Sequence, residues 1–159
     1  MQTLTILNSK EVRALKEQLT RQFGYFPPED YAYLRNEKEK IFLINKDVAK
    51  VDWDKLIVDK MGLYFGEDLG HEFRLSKEGA QLLWMEAKKN KVELKNTLEL
   101  SKEEVKTYFS GVDLFKEEGE KDNKLVILYY QKEVLGCARY REGKVFNFLP
   151  KIHRGEVIL

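Results

Sequence analysis

The chain has 159 residues, and their formal net charge is only +1. Apolar residues make up 43% and aromatic residues 12%, which excludes a mainly disordered chain, and the length allows one domain or two small ones. No run approaches the roughly 20 apolar residues of a membrane span, and the single cysteine excludes an internal disulfide, so we expect a cytoplasmic protein with no membrane contact.

The first half of the chain predicts an α+β order. Residues 1–7 lack the basic start of a secretory signal and alternate well enough for a strand. Asn8 and Glu11 have the spacing of a capping pair, and an apolar stripe then predicts a helix that ends at Gly24. A second helix is predicted to begin after Ser76 and to end in the basic residues 88–91. Strands are predicted over residues 31–35, 40–44, 57–65, 73–75 and 92–94, with a short helical piece over residues 47–56.

The second half predicts a helix followed by a meander of strands. Ser101 and Glu104 form another capping pair, and Gly111 ends this helix. The charged run 116–124 is typical of a solvated loop. Strands are predicted over residues 125–130, 134–140, 144–148 and 156–159, which would close a small β-barrel. We place the boundary near Asn90, which gives domains of residues 1–90 and 91–159.

Two motifs of the second half carry a family resemblance. The predicted helix leads into SGVDLF at residues 110–115, and a predicted strand carries VLGCA at residues 134–138. This combination resembles the PUA domain, which binds structured RNA, over roughly residues 92–159. The resemblance implies a β-barrel with a kink at the small residues after the Val-Leu pair. It also implies that the helix end and the loop after it approach the RNA backbone.

Further segments resemble proteins that act on ribosomal RNA. Residues 62–66, 71–76 and 91–95 are similar to the pre-PUA half of the Nip-seven-like ribosome-biogenesis proteins. The run 143–151 together with Arg154 is similar to the RNA-binding tail of the Nop/Sun/fmu rRNA cytosine methyltransferases. The glycine-rich S-adenosylmethionine loop and the Pro-Cys or Thr-Cys nucleophile of those enzymes are missing from the sequence. The implied fold class is α+β, with an N-terminal α/β pre-PUA domain followed by a C-terminal PUA-like β-barrel.

Positive charge is concentrated near the end of the chain. From Lys124 onward there are seven Lys or Arg and three Glu, an excess of four. Cations that neutralise phosphates release counterions, and Tyr140 or Phe146 would add stacking on an unpaired base. Lys and Arg also alternate with aromatic residues in strands that bind no RNA, because successive residues of a strand point to opposite faces. The resemblance to the PUA domain favours RNA contact. The expected RNA-binding residues are Lys106, Gly111, Val112, Phe115, Arg139, Tyr140, Arg141, Lys144, Lys151, His153 and Arg154.

Two of these expectations have a local alternative. Gly111 also suits the left-handed end of a helix, and Asp113 beside it is expected to bind backbone rather than a ligand. His153 is equally compatible with phosphate contact and with simple exposure.

Catalytic and metal-binding motifs are not found in the sequence. Two histidines are too few for a metal site, His71 beside Glu72 is typical of a strand edge, and neither a phosphate loop nor a nucleophile elbow occurs. We therefore expect a non-catalytic protein without cofactor that binds structured RNA, namely rRNA, in ribosome biogenesis or rRNA modification. Its expected protein partner is an RNA methyltransferase or an assembly factor. Two alternatives stay open: an accessory subunit of an RNA-modifying enzyme, and a protein-interaction module that no longer binds RNA.

Overall fold

The computed structural model describes residues 4–27, 31–45, 62–116 and 123–147. The chain divides into two compact units, Met1–Lys95 and Asn96–Leu159, here termed the first and the second unit. The observed division between Lys95 and Asn96 lies beyond the boundary predicted near Asn90. The reason is that residues 91–95 are hydrogen-bonded to the first unit. The Val92 N–H donates to the Ala87 carbonyl, and the Lys95 N–H donates to the Phe23 carbonyl, at 2.8 and 2.7 Å. No helix in the described ranges is long and apolar enough to cross a membrane.

The first unit contains a five-stranded antiparallel sheet whose strands pair in chain order. The predicted strands at residues 31–35, 40–44 and 73–75 are confirmed, whereas the first strand is shorter than expected. The predicted helical piece 47–56 and the start of the strand predicted from residue 57 lie outside the described residues. The strands are β1 (Thr5–Ile6), β2 (Tyr31–Arg35), β3 (Lys40–Asn45), β4 (Leu63–Asp68) and β5 (Phe73–Leu75).

Two helices of the described part of this unit, α1 (Ser9–Phe23) and α2 (Lys77–Lys89), begin at the predicted caps. The Glu11 N–H donates to Asn8 Oδ1 at 2.9 Å, and the Asn8 N–H donates to Glu11 Oε1 at 3.1 Å. These two bonds satisfy backbone donors that the first turn of a helix otherwise leaves without partners. The first turn of α2 is closed in the same way by Ser76 Oγ, which accepts from the Gly79 N–H at 2.8 Å.

The core of the first unit is rich in aromatic rings. Phe23 of α1, Phe65 of β4 and Phe73 of β5 are fully buried, and the Phe65 and Phe73 ring centroids lie 5.5 Å apart. Helix α2 lies directly on β4, because a Cβ atom at Gly79 would lie only 2.0 Å from the Phe65 carbonyl oxygen. Only glycine allows the helix to approach the strand this closely.

Where the structure describes it, the second unit combines one helix with a five-stranded sheet, which curls into a half-barrel. Strand order is β6-β8-β9-β10-β7, with β6 parallel to β8 and all other pairs antiparallel. Within the described part of the chain the sheet is therefore open, with β6 and β7 as edges. The predicted strand 156–159 lies outside that part. The elements are β6 (Thr97–Glu99), α3 (Lys102–Phe109), β7 (Leu114–Phe115), β8 (Lys124–Tyr130), β9 (Glu133–Arg141) and β10 (Lys144–Phe146).

The strand predicted at residues 92–94 is wrong, because β6 begins only at Thr97. Its parallel partner is β8, where Leu125, Val126, Ile127 and Leu128 are all buried. Strand β8 is thus buried on both faces. Strands of this kind have a continuous apolar sequence, which is typical of parallel pairing. The kink implied by the family resemblance lies at Gly136, whose φ is 145°, opposite a register shift between Leu128 and Tyr129.

One face of this sheet, the inner face, packs against α3. Val105 and Tyr108 of the helix meet an apolar cluster from four strands. Burial raises the pKa of Tyr108 to about 12, with the neighbouring Cys137 adding to the shift. The strand residues of the cluster are Leu114, Val126, Leu128, Ala138, Tyr140 and Val145.

Candidate nucleic-acid interface

The register of β9, β10 and β7 decides which side chains share the other face, termed the outer face. Arg139 lies opposite Phe146, Arg141 opposite Lys144, and Lys144 opposite Phe115. Successive residues of a strand point to opposite faces, and the residues between these positions are buried on the inner face. The five side chains therefore lie side by side on the outer face, where they form what we term the basic–aromatic patch.

Contacts between cations and rings hold the patch together. Lys144 Nζ lies 4.8 Å from the Phe146 ring centroid and 6.0 Å from that of Phe115. The Arg141 guanidinium carbon lies 5.1 Å from the Phe146 centroid. Such contacts at exposed sites contribute about 0.5–1 kcal/mol each. Phe146 thus holds two cations close together, whereas Phe115 is 78% exposed.

The three cations of the patch, Arg139, Arg141 and Lys144, differ in their surroundings. Lys144 Nζ lies 3.4 Å from Asp113 Oδ2, and both side chains are about one-third exposed, so water screens this pair. Arg139 Nη1 donates to the neutral amide oxygen of Asn123 at 3.1 Å. Arg141 is exposed. Guanidinium and ammonium groups arranged in this way suit the oxygens of phosphate groups.

The loop between α3 and β7 is fixed to the end of β10. Gly111 takes a φ of 94°, and its N–H donates to the Tyr108 carbonyl at 3.0 Å. Asn147 joins the loop from the other side, since its N–H donates to Asp113 Oδ1 at 2.6 Å and its Nδ2 donates to the Val112 carbonyl at 3.0 Å. Asp113 therefore binds backbone, as predicted, although the backbone is that of Asn147 rather than of the turn.

Lys116, next to the patch in sequence, serves a different purpose. Its Nζ donates to Glu104 Oε1 at 2.9 Å and to the Glu99 carbonyl at 2.8 Å, and only 10% of its side chain is exposed. Burial raises the pKa of Glu104, but hydrogen bonds from the Ser101 N–H and the Lys116 ammonium outweigh burial and hold that pKa below its usual value. Lys116 is thus an internal tie between α3 and the sheet.

The structure brings together four of the predicted contact residues, Phe115, Arg139, Arg141 and Lys144. Gly111 and Val112 lie in the adjoining loop, and Val112 is 54% exposed. The prediction of base stacking by Tyr140 is wrong for this position. Its side chain is only 3% exposed, on the inner face, and its hydroxyl donates to the Lys116 carbonyl at 2.9 Å.

Lys106 is not part of the patch. It is exposed on α3, the helix that covers the inner face, so it lies on the other side of the sheet. Lys151, His153 and Arg154 lie outside the described residues. Asn147 and Lys116 were not among the predicted site residues. The run 143–151, similar to a methyltransferase tail, contains Asn147, but the hydrogen-bond partners of Asn147 lie 34 to 39 positions earlier in the chain.

The first unit offers a different kind of surface. A cavity of about 460 Å³ opens beside α1 and β2, with Leu7, Phe26 and Tyr33 among its walls and the cations Arg13 and Lys16 also lining it. His71, by contrast, is an exposed side chain 3.4 Å from Glu72. Across the ranges that the structure describes, His, Cys, Asp and Glu side chains form no cluster of three or more suited to a metal ion.

The second unit has a recognisable relative. Residues 95–154 match the family model of the methyltransferase RsmF PUA domain. The match includes the whole basic–aromatic patch and the loop before β7, and it begins next to the division between the two units. The second unit is thus similar to a PUA domain of an RNA methyltransferase family. The chain has no match among curated proteins.

Proposed function

We propose that this protein is a non-catalytic RNA-binding protein whose second unit holds RNA against the basic–aromatic patch. The observation that carries the proposal is the register of β9, β10 and β7, which puts Arg139, Arg141 and Lys144 on one face next to two rings. The similarity of residues 95–154 to a PUA domain supports RNA as the ligand. The protein would position RNA by phosphate contacts and shape.

The attraction to RNA has to be local. Residues 96–159 contain 11 Lys or Arg and 11 Asp or Glu, so the net charge of the second unit is zero. A neutral unit gains little from long-range attraction, and its phosphate affinity depends on a few clustered cations. The patch supplies three of them. We therefore expect moderate affinity and a shallow salt dependence.

We further propose ribosomal RNA in the cytoplasm as the target, in ribosome biogenesis or rRNA modification. Support comes from the methyltransferase family in which the matching PUA domain occurs. The first unit would contact a protein partner such as a methyltransferase or an assembly factor. Its cavity beside α1, together with the partly exposed Ile6 and the exposed Met85, provides apolar surface for such a contact.

The experiment is a titration of a labelled rRNA fragment at several salt concentrations, followed by fluorescence anisotropy. The Arg141→Gln/Lys144→Gln variant removes two patch charges and should weaken binding. Each lost phosphate contact lowers the slope of log affinity against log salt by about one, so a decrease of about two is expected. The matched control is Lys102→Gln/Lys132→Gln, which removes two exposed cations of the same unit outside the patch.

The control variant should bind like the unaltered protein. If both double variants lost affinity equally, or if neither did, the patch would not be the RNA-binding face. Circular dichroism of each variant establishes that the fold is retained before binding is compared.

A second candidate is an accessory subunit of an RNA methyltransferase. The family name of the matching domain favours it, since that PUA domain belongs to a methyltransferase. The chain alone, given S-adenosylmethionine and an rRNA fragment, should transfer no methyl group. Faster methyl transfer by a separate rRNA methyltransferase upon addition of the chain would favour the accessory role.

A further inference from the structure

Phe115 is the most exposed large apolar side chain of the second unit within the described residues, at 78%. It lies on the two-residue edge strand β7, one position after the buried Leu114, and directly opposite Lys144 of β10. The Lys144 ammonium approaches its ring, at 6.0 Å from the centroid. A flat ring beside a cation offers a surface to a flat ligand group next to an anion.

Phe146 differs from Phe115 although both belong to the patch. Two cations approach the Phe146 ring, Lys144 at 4.8 Å and Arg141 at 5.1 Å, and its side chain is half-buried. Phe146 therefore positions charges, whereas Phe115 keeps a ring available. Lys144 lies between the two rings, so a phosphate bound there would bring its nucleoside close to Phe115.

We infer that Phe115 stacks on the base of an unpaired nucleotide, whose phosphate is held by Lys144 and Arg141. The inference rests on the proposed function and narrows its ligand to RNA with unpaired nucleotides, such as a bulge or a loop. Bases inside an A-form duplex are stacked on each other and present no open face to a protein ring. Aromatic stacking also tolerates any base, so little sequence preference is expected.

The test compares a short, fully paired RNA duplex with the same duplex carrying a uridine bulge in one strand. The two probes have nearly the same phosphate charge, so their difference reports the unpaired nucleotides. The intact chain should bind the bulged probe about tenfold more tightly, in the range that stacking of one base contributes. With 5-iodouridine in the bulge, irradiation should crosslink the RNA to Phe115, identified by mass spectrometry.

Two variants separate stacking from a structural role. Phe115→Leu keeps an apolar side chain at an exposed position but removes the ring, and it should abolish both the bulge preference and the crosslink without loss of folding. Phe115→Tyr retains a ring and should preserve the preference.

The outcomes are distinct for the two proposals. If the intact chain bound both probes equally and Phe115→Leu left that binding unchanged, the stacking inference would be overturned, whereas RNA binding by the patch would stand. No binding to either probe would overturn both. A bulge preference that survives in Phe115→Leu would assign the base contact to another residue and overturn the inference.

Discussion

Gly111 combines a local and a binding role at the level of one residue. Its φ of 94° is a conformation that side chains with a Cβ rarely adopt, and it lets the chain turn from α3 into the loop before β7. The hydrogen bonds from Asn147 hold that loop beside the patch. Strain at this position would therefore be felt both by the helix end and by the binding face.

Gly111→Ala should lower the free energy of unfolding of the second unit by about 1 kcal/mol. The larger Gly111→Val should, in addition, weaken RNA binding, because its side chain obstructs the approach of a phosphate or a ribose. Urea titration gives the stability of each variant, and anisotropy gives its affinity. If the valine variant lost stability alone, with affinity intact after correction for the folded fraction, Gly111 would be a helix end only.

The ion pair of Glu104 and Lys116 predicts a pH dependence of the second unit. Folding lowers the pKa of Glu104 from about 4.5. A carboxyl group shifted in this direction contributes stability above its unfolded pKa and loses that contribution as the pH falls through the folded pKa. The contribution should thus be complete at neutral pH and absent in strong acid.

Glu104→Gln should destabilise the second unit at pH 7 by about 1.5 kcal/mol, the scale of a hydrogen bond to a charged group. The difference from the unaltered protein should shrink as the pH falls below about 4.5, where Glu104 of the unfolded chain takes up a proton, and it should vanish below the lowered folded pKa, where Glu104 is neutral in both states. Urea titrations followed by the methyl NMR signals of Val126 and Val145 report this unit. A difference that is the same at acidic and neutral pH would contradict the assignment. The exposed neighbour Glu103→Gln serves as the control.

At the level of elements, the contact between α2 and β4 reverses a usual substitution effect. Alanine in place of glycine normally stabilises a helix by up to about 1 kcal/mol. Gly79→Ala should instead destabilise the first unit by roughly 1–3 kcal/mol, because its Cβ would overlap the Phe65 carbonyl oxygen at 2.0 Å. The exposed Met85→Ala on the same helix should change stability by less than about 0.5 kcal/mol.

Urea unfolding followed by tryptophan fluorescence measures this effect, since both tryptophans of the chain lie in the first unit. A midpoint that rises in Gly79→Ala would mean that the helix is free to move away from β4.

Elements with local signals could be predicted from the sequence. The caps at Asn8, Ser76 and Ser101 depend on residues within three positions of one another, and helices α1, α2 and α3 begin where these caps predict. Strands β6 and β7 were not predicted. They have two or three residues each, and they exist through pairing with β8 and β10, which lie far away in sequence. Periodicity within a short segment contains no information about such partners.

Pairing between distant strands also limited the prediction of the RNA-binding residues. A count of charges along the chain identifies Arg139, Arg141 and Lys144, but it ignores the alternation of a strand. Applied to β9, alternation separates Tyr140 from its two neighbours, and the structure buries it on the inner face. The contacts of Phe146 with Arg141 and Lys144 depend on the hairpin register, which a charge count does not contain.

At the level of the whole molecule, the two units divide the proposed work. The patch lies entirely within residues 96–159, whereas the cavity and the exposed apolar side chains Ile6 and Met85 lie within the first 95 residues. RNA affinity should therefore follow the second unit, and affinity for a protein partner should follow the first.

A fragment of residues 96–159 should bind the rRNA fragment with the same salt slope as the intact chain, because the slope counts phosphate contacts and the patch cations are all retained. Residues 1–95 alone should bind weakly. The smaller fragment buries a limited core, so its stability should be lower, and part of any affinity loss would reflect its unfolded fraction. Circular dichroism and urea titration give that fraction, and titration at two salt concentrations then gives the slope. The two fragments have no residue in common, so each salt slope reports the cations of one unit only. If the folded first unit bound RNA as tightly as the intact chain and the folded second unit did not, the RNA-binding surface would lie in the first unit.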